Sequence, residues 1–305
     1  MTSSPAAIVR TPDSRAYKLR FIRIIRSEWI KLFTLRSTKW ILSLAIGLNI
    51  GITLALAGAV RWAQTMFDAQ GSPPGGPDNV PIEVDPMSLG ELCELVVTGC
   101  SFVGQLMIVI LAILIITNEY SSGMIRSTFA TVPRRANVLL AKMIVIFVVA
   151  VLVFAISVAV GFAGSYAIFY NSLGADLALI SETSLRIMGG FIAAMVLIAW
   201  FTFGLGATIR STAASIGTAV GVIIVLPMIA NILVAVFSAE GQAEGWRLWL
   251  LNVLQFLPTS AGSLVTQTTA AQGSILGPWE GLGVLGGWAL LSVVIGFIVV
   301  KRRDV

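Results

Sequence analysis

Any chemistry in this 305-residue chain must be done with an incomplete set of reactive groups. There is no histidine, so no imidazole can act as general base, zinc ligand or proton relay. The two cysteines, Cys93 and Cys100, are seven residues apart. On one helix they share a face but stand about 10 Å apart along the axis, beyond disulfide reach. They read as a packed, inert pair. The five lysines (Lys18, Lys31, Lys39, Lys142 and Lys301) all fall outside any GxxxxGK[ST] sequence, so no phosphate-cradling loop is present. HExxH, CxxC and GxSxG are absent as well. Polar residues inside the apolar stretches are few and uncharged, and Asn49, Gln105, Thr202 and Asn231 stand out. Structural use between helices is the expected role for such groups. Ion-coupled carriers need an ionisable residue near the membrane midplane, and this chain offers none there.

The elements that position these residues are six stretches free of Asp, Glu, Lys, Arg and His: 40–60, 95–117, 143–170, 187–209, 211–237 and 281–300. Each matches the roughly 20 apolar residues a helix needs to cross about 30 Å of hydrocarbon. Backbone hydrogen bonds must close internally there, so the expected fold is an all-α integral membrane protein with six transmembrane helices. A composition of 57 % hydrophobic and 11 % charged residues agrees. No short n-region with a cleavage site precedes the first stretch, so it is read as a retained span.

The net charge of +5 is distributed as a topology signal. Residues 1–39 carry nine basic residues and 118–142 carry four; Arg210 adds one and the tail from Lys301 three. The alternate connections hold only Arg61, Arg186 and Arg247. Basic residues concentrate on cytoplasmic connections, which predicts a multi-pass plasma-membrane protein with both termini in the cytoplasm. A nucleic-acid partner is not expected.

The connections have distinct characters. Residues 1–16 are small, polar and expected to be disordered. Residues 17–38 form an amphipathic helix ahead of the six-span domain, 39–305. At 100° per residue Phe21, Ile22, Ile25, Trp29, Leu32 and Phe33 fall on one side. Arg20, Arg23, Ser27, Lys31 and Thr34 fall on the other, with Ile24 the exception. Such a helix lies in the headgroup plane, and Arg20, Phe21, Ile25, Trp29, Lys31 and Leu32 are its expected contacts with lipid. The external loop 61–94 is acidic and rich in Pro and Gly, which rules out a long helix between Ala69 and Pro86. The cytoplasmic loop 118–142 is too basic to be submerged, and 210–212 makes a tight turn. Twelve mostly apolar residues, Trp246–Leu257, precede Pro258. They are too few to span, so 246–269 is expected to dip in from outside as short re-entrant helices between the fifth and sixth spans. Glycine pairs at 47/51, 217/221 and 283/287 allow close helix approach. Packing within one subunit is their expected use, and a subunit interface is the alternative. Gly221 and Pro227 permit a kink in the fifth span.

Two segments carry a family resemblance: RSEWIKLFTLRSTKW, Arg26–Trp40, and NEYSSGMIRSTFATVPRR, Asn118–Arg135, with Lys142 beyond it. LPTSAG, Leu257–Gly262, adds a third. Together they resemble the bacterial type-2 ABC transporter permeases, membrane subunits of exporters whose ATPase is a separate polypeptide. The resemblance implies that the leader is a connecting helix along the inner leaflet. It implies that the loop holds a coupling helix docking into the ATPase through Glu119, Tyr120, Gly123, Met124, Arg126, Pro133, Arg134 and Arg135. This chain would bind no cofactor, with ATP and Mg held by the partner, and would pair with a second permease subunit. The apolar spans favour a hydrophobic or amphiphilic cargo: lipid, peptide or drug. The competing readings are an ATP-independent carrier or channel, and a membrane scaffold or assembly factor. A membrane enzyme is disfavoured by the empty catalytic inventory.

Overall fold

A computed structural model describes residues 21–70, 87–121, 135–170, 181–239, 249–250, 252–268 and 275–302. The described residues contain helices and no strand. Helix α1 is Phe21–Thr34, and α2, Arg36–Gln70, follows after a single residue. Then come α3 (Leu89–Ser121), α4 (Arg135–Phe169) and α5 (Glu182–Ile209). The fifth span is composite: α6 (Thr212–Val220), a π turn (Gly221–Val225) and α7 (Leu226–Ala239). A short helix α8 (Pro258–Ser263) and a 3₁₀ turn (Leu264–Thr266) lead to α9 (Pro278–Arg302). Six of these helices are long and apolar enough to cross a membrane, counting α6 to α7 as one.

The helices overrun the charge-free stretches at both ends. At 35 residues, α2 is about 50 Å long, well beyond the hydrocarbon thickness. Residues 61–70 and 89–94, expected in an external loop, are therefore helical, and Lys142 sits two turns inside α4 rather than in a loop. The Pro-rich core of that external loop, the middle of the 118–142 connection, and residues 1–20 fall outside the described residues, as does Trp246.

Local sequence explains several helix ends. Ser88 and Glu91 form a reciprocal capping box at the start of α3: the Ser88 amide donates to Glu91 Oε2 at 2.8 Å, and the Glu91 amide donates to Ser88 Oγ at 3.2 Å. Ser181 Oγ accepts from the Ser184 amide at 3.0 Å ahead of α5. Arg210 closes α5 in the left-handed region, φ 62°, with its amide bonded to the Gly206 carbonyl. Ser211 then caps α6, so the tight turn needs only two residues.

Helices α3 and α5 form the centre, with Ile113, Phe191, Ile198 and Phe203 enclosed between their neighbours. α2, α7 and α9 lie outside and present apolar faces such as Leu44, Leu48 and Ile52 on α2, and Met228, Ile229 and Ile232 on α7.

The glycine pairs read as packing motifs do not pack against the described residues of this subunit. Among those residues, a Cβ at Gly47, Gly51, Gly217, Gly221, Gly283 or Gly287 would meet nothing within 4 Å. Close approach is made by other glycines. A Cβ at Gly204 would lie 2.4 Å from the Ser292 carbonyl carbon, and one at Gly281 2.4 Å from the Ala261 oxygen. Gly99 meets Thr53 on the same terms, at 2.6 Å from its hydroxyl. Spacing of four marks a smooth helix face; which face meets a neighbour depends on the whole bundle.

The region after the fifth span is held by main-chain contacts. Pro227 has no N–H to offer the Ile223 carbonyl one turn back. Thr259 Oγ1 donates to that carbonyl at 2.8 Å, tying α8 to the π turn. Arg186 donates to the carbonyls of Val265 and Gln267 at 3.2 and 3.0 Å, and Glu94 Oε2 accepts from the Thr268 amide at 2.9 Å.

Candidate functional site: a charged ring under the first helix

On the face carrying the described chain ends, four charged side chains from three helices alternate in a closed ring. Lys142 Nζ on α4 donates to Glu28 Oε2 at 2.6 Å and to Glu119 Oε1 at 2.9 Å. Lys31 Nζ donates to Glu28 Oε1 at 2.7 Å and to the same Glu119 oxygen at 3.1 Å. Glu28 and Lys31 come from α1 and Glu119 from the last turn of α3. The third proton of Lys142 goes to the Ile115 carbonyl at 3.3 Å.

Burial makes the ring consequential. Glu28 is 5 % exposed, Lys142 4 % and Glu119 9 %, whereas the Lys31 side chain keeps 37 % of its surface. Isolated charges at such depth cost several kcal/mol each. Here two cations and two anions cancel, and each is hydrogen-bonded. Burial pushes the Glu28 carboxyl up, but the charge and hydrogen bond of Lys142, and then those of Lys31, hold it below the ordinary 4.5. Burial likewise pulls Lys31 down, and its bond to Glu28 together with the charge of Glu119 leaves it above 10.5.

The ring explains how α1 sits. The face against the protein is Ile24, Glu28 and Leu32, at a spacing of four. Ile25, Trp29 and Phe33 are half-covered, and Phe21 and Ile22 are exposed. The helix is thus rolled by roughly 80° from the apolar arc read in the sequence, at 100° per residue. Ile24, the exception in the sequence pattern, is buried, and Lys31, placed on the solvent side, joins the ring. Satisfying the buried Lys142 outweighs burying Phe21 and Ile22.

Of the residues expected to contact an ATPase, the structure brings Glu119 and Tyr120 into the protein. Glu119 faces the ring rather than an open docking surface. The Arg210 guanidinium carbon lies 5.1 Å from the centre of the Tyr120 ring. Arg210 also donates to the Val299 carbonyl at 3.4 Å, so the end of α3, the α5–α6 turn and the end of α9 meet. Gly123, Met124, Arg126, Pro133 and Arg134 lie outside the described residues, as does Arg20; Arg135 opens α4. Glu28 is the functional candidate that sequence reasoning missed, and Lys142 was read only as the end of a loop. A lone lysine two turns inside an otherwise apolar helix was the available signal, because it demands a carboxylate.

The polar residues singled out inside the spans serve mostly local purposes. Thr202 donates to its own helix at Ile198 and Ala199, and Asn231 to Pro227. Asn49 donates to Ser157 at 3.4 Å and rests against Gly104, where a Cβ would come within 2.8 Å of its amide nitrogen. Cys93 and Cys100 are buried free thiols. Among the described residues, no group of His, Cys, Asp and Glu is arranged to hold a metal.

Residues 23–305 match the family model described as ABC-2 family transporter protein, and the chain belongs to that family. It is a multi-pass membrane permease component of an ABC transporter. Membership implies partnership with an ABC ATPase subunit. No curated protein matches the chain.

Proposed function

We propose that the chain forms, with a second permease subunit, the translocation path of an ATP-driven exporter of a hydrophobic or amphiphilic substrate. Two ATPase chains would supply ATP and Mg. Both termini would face the cytoplasm, in the plasma membrane, and the connection between α3 and α4 would dock into the ATPase. The observation that carries this reading is the ring, which grips both helices leaving that connection. Glu119 lies in the last turn of α3 and Lys142 two turns inside α4, and each is bonded to α1. A push on the connection therefore moves α1, α3 and α4 as one body, the kind of rigid-body step ATPase closure needs. Glu119 acts in this reading as a strut behind the docking loop. Open glycine faces and apolar surface on α2 and α7 support pairing with a second permease subunit.

The test is co-purification with a Walker-type ATPase, followed by hydrolysis assays with amphiphilic compounds. Substrate-stimulated hydrolysis should survive Arg134→Ala with Arg135→Ala only if docking lies elsewhere, and Glu119→Gln should weaken stimulation without preventing insertion. Cargo movement by the chain alone, with no nucleotide-hydrolysing companion, would overturn the proposal. Orientation is tested by cysteine labelling, with Gly75→Cys reactive from outside and Ser121→Cys from inside.

A further inference from the structure

Beneath the ring lies a cavity of about 490 Å³ between α1, α2, α3 and α4, within the size range of small-molecule sites, about 300–1,000 Å³. One wall is apolar, built from Ile41, Leu111, Leu114 and Val145. Its charged end is the ring itself, Glu28, Lys31, Glu119 and Lys142, and Thr38 adds a hydroxyl to the lining. The cavity adjoins the first turns of α2, where the first membrane-crossing helix begins. That places it at the level where lipid headgroups meet acyl chains.

The ring itself is neutral, so what favours an anionic headgroup is the uncommitted proton of Lys31 and the exposed cations at the start of α2. Glu28 is occupied on both oxygens by lysines, and both lysines reach Glu119 through Oε1. Lys31 is the most exposed member, and two of its three ammonium protons are committed to these carboxylates. Thr38 is only 4 % exposed, and its hydroxyl has no partner among the described residues. Its oxygen opens to the cavity, where a ligand oxygen can bond it. Arg36 and Lys39 stand exposed on the same helical turns and add positive field. We propose that this cavity binds one anionic phospholipid from the adjoining leaflet. Its phosphate is held by Lys31 and Thr38, and one acyl chain lies along the Leu111, Leu114 and Val145 wall. The lipid would brace α1 against the bundle at the joint where the ring forms. The proposal goes beyond the transport reading and is independent of transport direction.

The test uses the full chain purified in detergent and exchanged into nanodiscs of phosphatidylcholine doped with phosphatidylglycerol of identical chains, with retained lipid read by native mass spectrometry. Wild type should retain about one phosphatidylglycerol per chain in preference to phosphatidylcholine. Leu114→Phe, which fills the cavity, and Thr38→Val should each lower that retention at least fivefold. Lys31→Arg should preserve it and Lys31→Gln should lose it, while Lys301→Gln, distant from the cavity, should leave it unchanged. Equal retention of the two lipids, or full retention in Leu114→Phe, overturns the proposal. So does displacement of the lipid by soluble glycerol phosphate alone, which would mark a phosphate site rather than a lipid site. Leu114→Phe leaves the ring intact, so the question stays answerable even if Lys31→Gln fails to fold.

Discussion

Lys142 Nζ lies 2.6 Å from Glu28 Oε2, joining residues 114 positions apart at a depth where neither side chain keeps more than 5 % of its surface. This pair fixes α1, an element outside the six spans, to the second turn of α4.

Removing one partner should cost more than removing both. Lys142→Met leaves Glu28 and Glu119 facing a single partly exposed lysine, and should destabilise by about 3–5 kcal/mol, the usual penalty for a buried charge left unpaired. The double variant Glu28→Gln with Lys142→Met restores neutrality and should recover a substantial part of that loss. Thermal unfolding of the purified protein in lipid nanodiscs reads the difference. Additive losses would show that the two side chains are not coupled.

The ring should also define a pH window. Glu28 titrates below its ordinary 4.5 in the folded protein, so its contribution is present above that value and vanishes as pH falls through the lowered one. Lys31 titrates above 10.5, so its contribution is present below that value and is lost as pH rises through the raised one. The stability gap between wild type and Glu28→Gln should close on the acid side, and that between wild type and Lys31→Gln on the alkaline side and, once Glu28 is protonated, in part on the acid side as well. Melting temperatures from pH 3 to 12 would check both limbs.

Glycines should divide sharply by location. Gly204→Ala drives a methyl into the Ser292 backbone and should cost about 1–3 kcal/mol by forcing α5 and α9 apart. Gly47→Ala with Gly51→Ala meets open space and should leave the melting temperature of the isolated subunit unchanged or slightly raised. If the second pair instead alters the oligomer measured by mass photometry, the open face is an interface between subunits.

The junction of α8 with the fifth span offers a double-mutant cycle. Thr259→Val removes the donor to the Ile223 carbonyl and should cost about 1–3 kcal/mol for the acceptor left unpaired. In a Pro227→Ala background the helix regains its own N–H, and the same change should cost less. An equal cost in both backgrounds would show that the hydroxyl serves some other purpose.

The six spans were legible because hydrocarbon enforces long apolar helices whatever packs beside them. Helix ends were less so: Ser88 and Glu91 spell a capping box, yet it lay inside what composition suggested was loop. The rotation of α1 was not legible, because periodicity reports an apolar arc and Lys142 overrules it from more than a hundred residues away. The same reasoning applies to the glycines, since Gly204 and Gly281 belong to no spaced pair within a span and are defined by Ser292 and Ala261 opposite them. Pro227 was read as permitting a kink; that Thr259 donates to the Ile223 carbonyl in place of the missing N–H needed the chain to return as α8.

The anchoring of residues 265–268 by Arg186 and Glu94 has an evolutionary implication. Every acceptor offered to Arg186 is a peptide carbonyl, and one of the two protons given to Glu94 is a peptide N–H, the other coming from the Thr268 hydroxyl. Peptide groups are common to all residue types, so the half-buried side chains at 266 and 267 can be exchanged while the fastening persists, whereas Val265 is buried against α5 and proline is barred at 268. A surface free to vary on a fixed mount is where one member of such a lineage can diverge from another without refolding.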